Sequence, residues 1–473
     1  MERKMTFGVL VGTRAFFNPD LAREGRRLLL SKLEAMGYNA VVLPADSTPT
    51  GVVETVDDAK KCAALFREHA QEIDGIIVSL PNFGDEIGIV TTLKGADLRV
   101  PILVQASDDD VDKVDLRHRR DAFCGKLSVC NNLYNYGIPF SNTSLHTCSI
   151  SSTAFTEDLQ YFASVCRVVR GLKGARIGAI GARPAAFQTM RVSERLLQAS
   201  GITVVPVDLS EIIFATERLD EKSAEVSAKI EEIRAYGKIP SYIKSESVVK
   251  NAKLSLTISN WVRANELDAF SVQCWSSIQL NYGCATCTVM SMMGEELIPG
   301  ACEVDIAGAI SMYALSLTAG KPAALLDWNN NYGDDRDMCV CTHCGNFPKG
   351  FVGGEIEISE LDVLGETLGR DKSFGAIKGK VKAGPMTYFR MSTDDLNGRI
   401  RAYVGEGEFT DDPFPMAGGI AVCRVPKLQS LMDYLCGSGF EHHTAMVRGH
   451  HARAVNEAVT KYLNWSCHNH GLS

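Results

Sequence analysis

The chain has 473 residues, more than one hydrophobic core ordinarily serves, so two or three domains are expected. Hydrophobic residues make up 45% and charged residues 22%, which excludes wholesale disorder; 49 Lys and Arg against 57 Asp and Glu give a net charge of −8, with no basic block to meet a phosphate backbone. No stretch approaches the ~20 apolar residues that span a bilayer, so neither a nucleic-acid nor a membrane partner is expected.

The first 17 residues run into a strand-like segment with no apolar signal region, and the 15 cysteines are odd in number and scattered. Reduced thiols in a cytoplasmic protein are the expectation. Phe7–Thr13, Ala40–Pro44, Gly75–Leu80 and Ile102–Gln105 are apolar runs of strand length, separated by helical spacing over Asp20–Met36 and Val56–His69. Alternation of this kind predicts a parallel sheet with helices on both faces and a ligand site beyond the strands' carboxyl ends, where Thr13 and Arg14 fall.

Phe155–Gly174 reads as a helix, after which Arg176–Ile180 restarts the strand pattern. Helices are expected over Gln188–Ala199, Glu217–Tyr236, Lys250–Asn265 and Asp305–Thr318, with strands at Thr203–Asp208, Ala269–Cys274 and Ala323–Trp328. This second parallel α/β unit is expected to end near Pro348. Beyond Gly350 the texture changes to short alternating runs with glycine punctuation, such as GAIKGKVKAGPMTYFRMS and GRIRAYVGEGEFT, which predicts antiparallel β structure. Helices at Gln429–Cys436 and His451–Tyr462 close the chain. The fold class is therefore α/β: two Rossmann-like parallel-sheet domains, 1–165 and 166–350, followed by an antiparallel, barrel-like β domain over 351–473.

Three constellations carry chemistry. Cys302-Glu303-Val304-Asp305 opens a helix after Pro299-Gly300, and Asp327 ends the apolar run Leu325-Leu326. A carboxylate at a buried strand tip needs a partner, and a metal cation is one solution; taken alone, Glu303 equally suits a helix dipole and Asp327 a turn cap. The second constellation is Glu441-His442-His443-Thr444 followed by His450-His451; two carboxylates with one or two imidazoles suit Mn²⁺, Co²⁺ or a similar cation. The third pairs Cys284–Cys287 with Cys341–Cys344 at zinc-knuckle spacing, while the alternation of Cys339 and Cys341 equally suits a strand that buries small thiols. No dinucleotide, P-loop or elbow-serine motif occurs.

In order, CEVDIAGA, LLDWNNNY, THCGNFP and EHHTAMVRGHH resemble the L-fucose isomerase family and its L-arabinose isomerase relatives, over the whole chain. The resemblance implies a metal-dependent aldose–ketose isomerase acting through an enediol. Glu303 and Asp327 correspond to the family's metal-binding carboxylates and acid/base groups, with Glu303 the base, and His443 to its metal-binding histidine; His442 is the nearest competitor. His343 resembles an extra site histidine of the arabinose branch and is a ligand of metal or of substrate; Gln273, Trp275, Arg14 and His442 are assigned to the sugar pocket. Mn²⁺, or Co²⁺ or Mg²⁺, is the implied cofactor. The substrate is a deoxy, pentose or sulfonated sugar such as sulfoquinovose, for whose anionic group Arg14, Arg183, Lys349 or His343 are candidates. A homo-oligomer, preferably a hexamer with sites at subunit interfaces, is implied as well. Two other expectations compete: a non-catalytic sugar-binding protein, which leaves the acids and histidines without a role, and a zinc or thiol enzyme built on the four paired cysteines.

Overall fold

The computed structural model describes residues 3–471, in two compact units that divide between residues 170 and 171. The first holds a five-stranded parallel sheet of β1 (Thr6–Val11), β2 (Asn39–Val42), β3 (Gly75–Leu80), β4 (Ile102–Ala106) and β5 (Ser141–Asn142), in the order β2-β1-β3-β4-β5. Every residue of β1, β3 and β4 is buried, as expected of strands covered on both faces. The helices start where side chains cap them: Asn18 accepts from the Asp20 N–H ahead of Pro19–Ala35, and Thr55 with Asp58 forms a reciprocal box at Val56–Glu68. One core lies on the face with Phe66, Ile89 and Leu93, the other on the face with Leu29, Phe155 and Phe162.

The second unit opens with a parallel sheet of β6 (Arg176–Ile180), β7 (Thr203–Val207), β8 (Ala269–Val272) and β9 (Gly300–Ala301), in the order β7-β6-β8-β9. Two of the expected helices are interrupted. Gln188–Ala199 is helical only at a short turn and again from Glu194, where Ser193 caps the start; within Glu217–Tyr236, a turn at Asp220 ends one helix and Ser223 begins another at Ala224. Local capping outweighs the apolar period at both places.

The remaining strands are β10 (Ala323–Tyr332), β11 (Asp335–His343), β12 (Glu357–Glu360), β13 (Phe374–Lys380), β14 (Gly384–Asp394), β15 (Arg399–Thr410), β16 (Gly419–Arg424), β17 (His443–Arg448) and β18 (Ser466–His470). β16 pairs with both β11 and β15, so β16-β11-β10-β17-β14-β15 closes into an antiparallel barrel; β13 with β12, and β18, extend the sheet by parallel pairings to β16 and β15. The strand read over Ala323–Trp328 therefore differs from the expectation: it belongs to the barrel, not to the parallel sheet. The cause is the two-residue turn Gly333-Asp334, with Gly333 at φ +54°, which folds β10 back as a hairpin onto β11. Phe347, Phe351, Tyr388, Tyr403 and Phe409 share one hydrophobic core with the barrel strands. Among the described residues no helix is long and apolar enough to cross a membrane.

Candidate active site

Register brings the barrel's contribution together. Asp327 on β10 faces His443 on β17 and Thr342 on β11, with His343 the next residue along β11. The parallel sheet adds Glu303, just beyond β9, at the carboxyl end where such sheets place their ligands. His443 Nε2 lies 3.3 Å from Asp327 Oδ1 and 3.6 Å from Glu303 Oε2, His343 Nε2 lies 3.8 Å from Glu303 Oε2, and His442 Nε2 lies 3.7 Å from Asp327 Oδ1. Glu303, His343 and His443 are buried, Asp327 is partly open, and His442 is on the exposed side. Glu303 Oε2 and Asp327 Oδ1 are both shut away from solvent without a hydrogen-bond partner. The donor atoms that lie close enough to share a cation form two groups with His443 in common, Glu303–His343–His443 and Asp327–His442–His443, and such oxygen-and-nitrogen sets fit a divalent cation such as Mn²⁺.

The two buried histidines are held in opposite tautomers. His443 Nδ1 donates to Asp305 Oδ2 at 2.8 Å, which leaves the Nε2 lone pair free toward Glu303 and Asp327. His343 Nδ1 instead accepts from the Cys344 N–H at 2.9 Å, so its proton sits on Nε2 and points at Glu303. His443 thus turns a lone pair, and His343 an N–H, toward the carboxylates.

Asp305 is fixed in turn by Arg390, whose guanidinium donates to both carboxylate oxygens at 2.5 and 3.0 Å and whose Nε reaches Glu441 Oε2 at 3.4 Å; Ser392 Oγ donates to Glu441 Oε1 at 2.7 Å. Burial opposes the Asp305 charge, but Arg390 and then His443 outweigh it and hold the carboxyl well below the usual range. The opposite holds for the bare pair: burial, then the neighbouring Cys274 and Asp327, push Glu303 well up, and burial raises Asp327 against the pull of His443. Burial, and after it the neighbouring His443, lowers His343 strongly and takes His442 down to about 4, so both are neutral at pH 7.

These shifts set a pH dependence. A carboxyl whose folded pKa is raised keeps its proton in the folded chain over the window from about 4.3 upward, so the metal-free protein loses stability as pH rises through that window. A cation bound through Glu303 would displace that proton, so if Mn²⁺ binds there thermal unfolding should show a larger Mn²⁺-induced gain at about pH 8 than at about pH 6, and Glu303→Gln should remove most of the difference. Gly308 supplies a second check. Its N–H donates to Asp305 Oδ1 at 2.8 Å, and a Cβ there would stand 2.3 Å from Asp305 Oδ2 and 2.9 Å from Leu325 Cδ1. Although alanine is the better helix former by about 1 kcal/mol, Gly308→Ala should destabilise the protein by about 1–3 kcal/mol in denaturant unfolding, because Arg390 and His443 leave Asp305 nowhere to move.

Residues 8–173 match the model of the fucose/sulfoquinovose isomerase N-terminal domain, and residues 341–470 that of the L-fucose isomerase C-terminal domain. A sulfoquinovose isomerase of Priestia aryabhattai is 26% identical over 404 residues, 85% of this chain and 86% of its own; one from Alkalicoccus urumqiensis is 25% identical over 336 residues, 69% and 70%. The chain belongs to the fucose/sulfoquinovose isomerase family. It is an aldose–ketose isomerase. A D-allose-bound periplasmic solute binding protein from Actinobacillus succinogenes 130z is 12% identical over 57% of this chain and 79% of its own, with a TM-score of 0.17, too slight a likeness to bear on function.

Of the sugar-pocket residues expected from the sequence, Gln273 braces the loop after β6: its Oε1 accepts from the Ala182 N–H at 2.9 Å, and Gly181 at φ +79° leaves room that a Cβ, 2.5 Å from that oxygen, would take. Trp275 stacks edge-on with Phe187 at 5.5 Å and keeps a buried Nε1–H without a partner. Arg14 belongs to the first unit, where it lies over the Phe83 ring at 4.1 Å and 3.6 Å from Glu86. Lys349 is engaged by the Tyr236 carbonyl at 3.0 Å, and His450 lies near Glu406 rather than in the cluster.

The zinc alternative is not met. Among the described residues Cys284, Cys287, Cys341 and Cys344 do not converge; Cys284 bonds Asn251 and the Phe374 carbonyl, Cys341 sits against Cys339, and no disulfide forms. The helix is capped by Asp305, not Glu303, and Asp327 lies within β10 rather than capping a turn. Arg390 was not singled out from the sequence, and Glu441 was named only as part of the histidine-rich run, without a role of its own. A lone arginine inside the apolar run MTYFRMS was the signal, since a charge within a buried strand requires an opposite charge.

Proposed function

We propose that the protein interconverts sulfoquinovose and its 2-ketose by proton transfer between C2 and C1, with a divalent cation of the Mn²⁺ type held by Glu303, Asp327 and His443. The convergence of two buried, unpartnered carboxylate oxygens on the free Nε2 of His443 carries the reading. The relatives named sulfoquinovose isomerase supply the substrate. When bound, the cation supplies Lewis-acid stabilisation for oxygen charge on adjacent carbons of the sugar.

The chain's own groups do the rest. Glu303, its basicity raised by burial, takes the C2 proton and returns it at C1 on the same face, while Asp327 passes the 2-hydroxyl proton to O1, so that C2 becomes the carbonyl and C1 a hydroxymethyl group. The Nε2–H of His343 donates to a sugar oxygen beside Glu303. Neutral His442 holds a hydroxyl at the open side, the buried Trp275 indole N–H another, and Gln273 keeps the neighbouring loop in place. Arg183 remains a candidate for the sulfonate. We further propose a homo-oligomer, a hexamer by family resemblance, with sites at its subunit interfaces.

Chelator-stripped protein, with and without restored Mn²⁺, is followed by NMR in deuterated water on sulfoquinovose, fucose and arabinose. Mn²⁺-dependent ketose with deuterium at C1 is the expected result. Ketose without deuterium at C1 speaks against exchange with solvent through Glu303, and turnover confined to the neutral sugars overturns the sulfonated substrate.

A further inference from the structure

β8 and β9 run side by side and parallel, so their carboxyl ends deliver Cys274 and the step Cys302-Glu303-Val304 to one place. Glu303 and Val304 both have left-handed backbone, φ +54° and +55°. Neither is glycine, and a β-branched residue such as valine is rarely found there. Two such residues in a row persist only where their surroundings over-determine them.

Cys274 supplies that constraint from two directions. Its sulfur accepts the Glu303 N–H at 3.3 Å, and its thiol donates to Glu303 Oε1 at 3.5 Å; the next N–H, that of Val304, goes to the Val272 carbonyl at 3.1 Å. One buried side chain thus holds both the backbone and the carboxylate of the same residue, and the oxygen it leaves bare is Oε2, the one that faces His443.

We propose that Cys274 is a positioning residue that clamps Glu303, directing Oε2 into the site while Oε1 stays occupied. The proposal rests on the roles given to Glu303 above. A thiol suits the task because it both donates and accepts at small volume. Serine has the same two capacities; alanine and valine have neither.

The test compares the full chain as wild type, Cys274→Ala, Cys274→Ser and Cys287→Ala, the last emptying an equally buried thiol from the same core. Melting temperature, Mn²⁺ affinity from EPR of the free ion, and kcat and KM at saturating Mn²⁺ are measured. Cys274→Ala should lose on the order of 10–100-fold in kcat and about 10-fold in Mn²⁺ affinity with KM little changed, and Cys274→Ser should recover most of both. Cys287→Ala should match its loss of melting temperature while keeping turnover and metal. Wild-type kcat and affinity in Cys274→Ala, or equal losses in Cys287→Ala, overturn the clamp alone. A wild type that neither binds Mn²⁺ nor isomerises overturns the assigned site, and the clamp with it. If Cys274→Ala does not fold, Cys274→Val, which fills the space without hydrogen bonding, is read against Cys274→Ser in the same way.

Discussion

Glu303→Gln is expected to lower turnover on the order of 10³-fold or more while leaving the metal-free protein at least as stable as the wild type. The activity loss combines two deficits, a proton acceptor worth about 10²–10⁴-fold and one anionic donor of the cation site. The stability result follows from the surroundings of the carboxyl. Glu303 is buried with Oε2 unpartnered and a second raised carboxyl, Asp327, beside it, so its ionised form is disfavoured in the folded chain. A neutral amide of the same shape removes that cost at neutral pH. Asp327→Asn should behave alike, with a smaller stability gain because it is partly open to solvent. Turnover by NMR and calorimetric melting with and without Mn²⁺ check both variants. Near-wild-type kcat in Glu303→Gln would remove it as the base, and a large loss of metal-free stability would mean that the carboxylate holds the fold together.

How far the sequence disclosed this site depended on whether each residue's role is local. β1, β3 and β4 were legible because parallel strands covered on both faces leave continuous apolar runs, and the two carboxylates that lie beside His443 because CEVD and LLDW are compact strings in a recognisable order. β10 was misplaced because an apolar strand reads the same in a parallel sheet and in a barrel, and only the Gly333-Asp334 turn distinguished them. The tautomers of His343 and His443 were not legible at all. They are decided by a backbone N–H at Cys344 and by Asp305, which lies 138 positions from His443. Arg390, 85 positions from Asp305, and Cys274, 29 from Glu303, act through pairings that only the assembled sheets bring about.

Arg390→Met should be the most destabilising single change at the site, by about 3–5 kcal/mol in urea unfolding, since it leaves Asp305 and Glu441 as buried carboxylates without their cation. The pH dependence separates this cause from lost packing. The folded Asp305 carboxyl is held well below its usual range, so its contribution is complete above about pH 4 and is lost as pH falls through that value toward the folded one. The gap between wild type and Arg390→Met should therefore be widest near neutrality and shrink on acidification, whereas a packing defect would persist at every pH. Arg390→Lys keeps a charge but not the two-pronged hydrogen bond to Asp305, so it should recover much of the stability and less of the Mn²⁺ affinity, because the orientation of His443 depends on where Asp305 is held rather than on net charge. If Arg390→Lys restored both equally, charge balance alone would account for the network, and Asp305 would have no part in aiming His443 Nε2 at the cation.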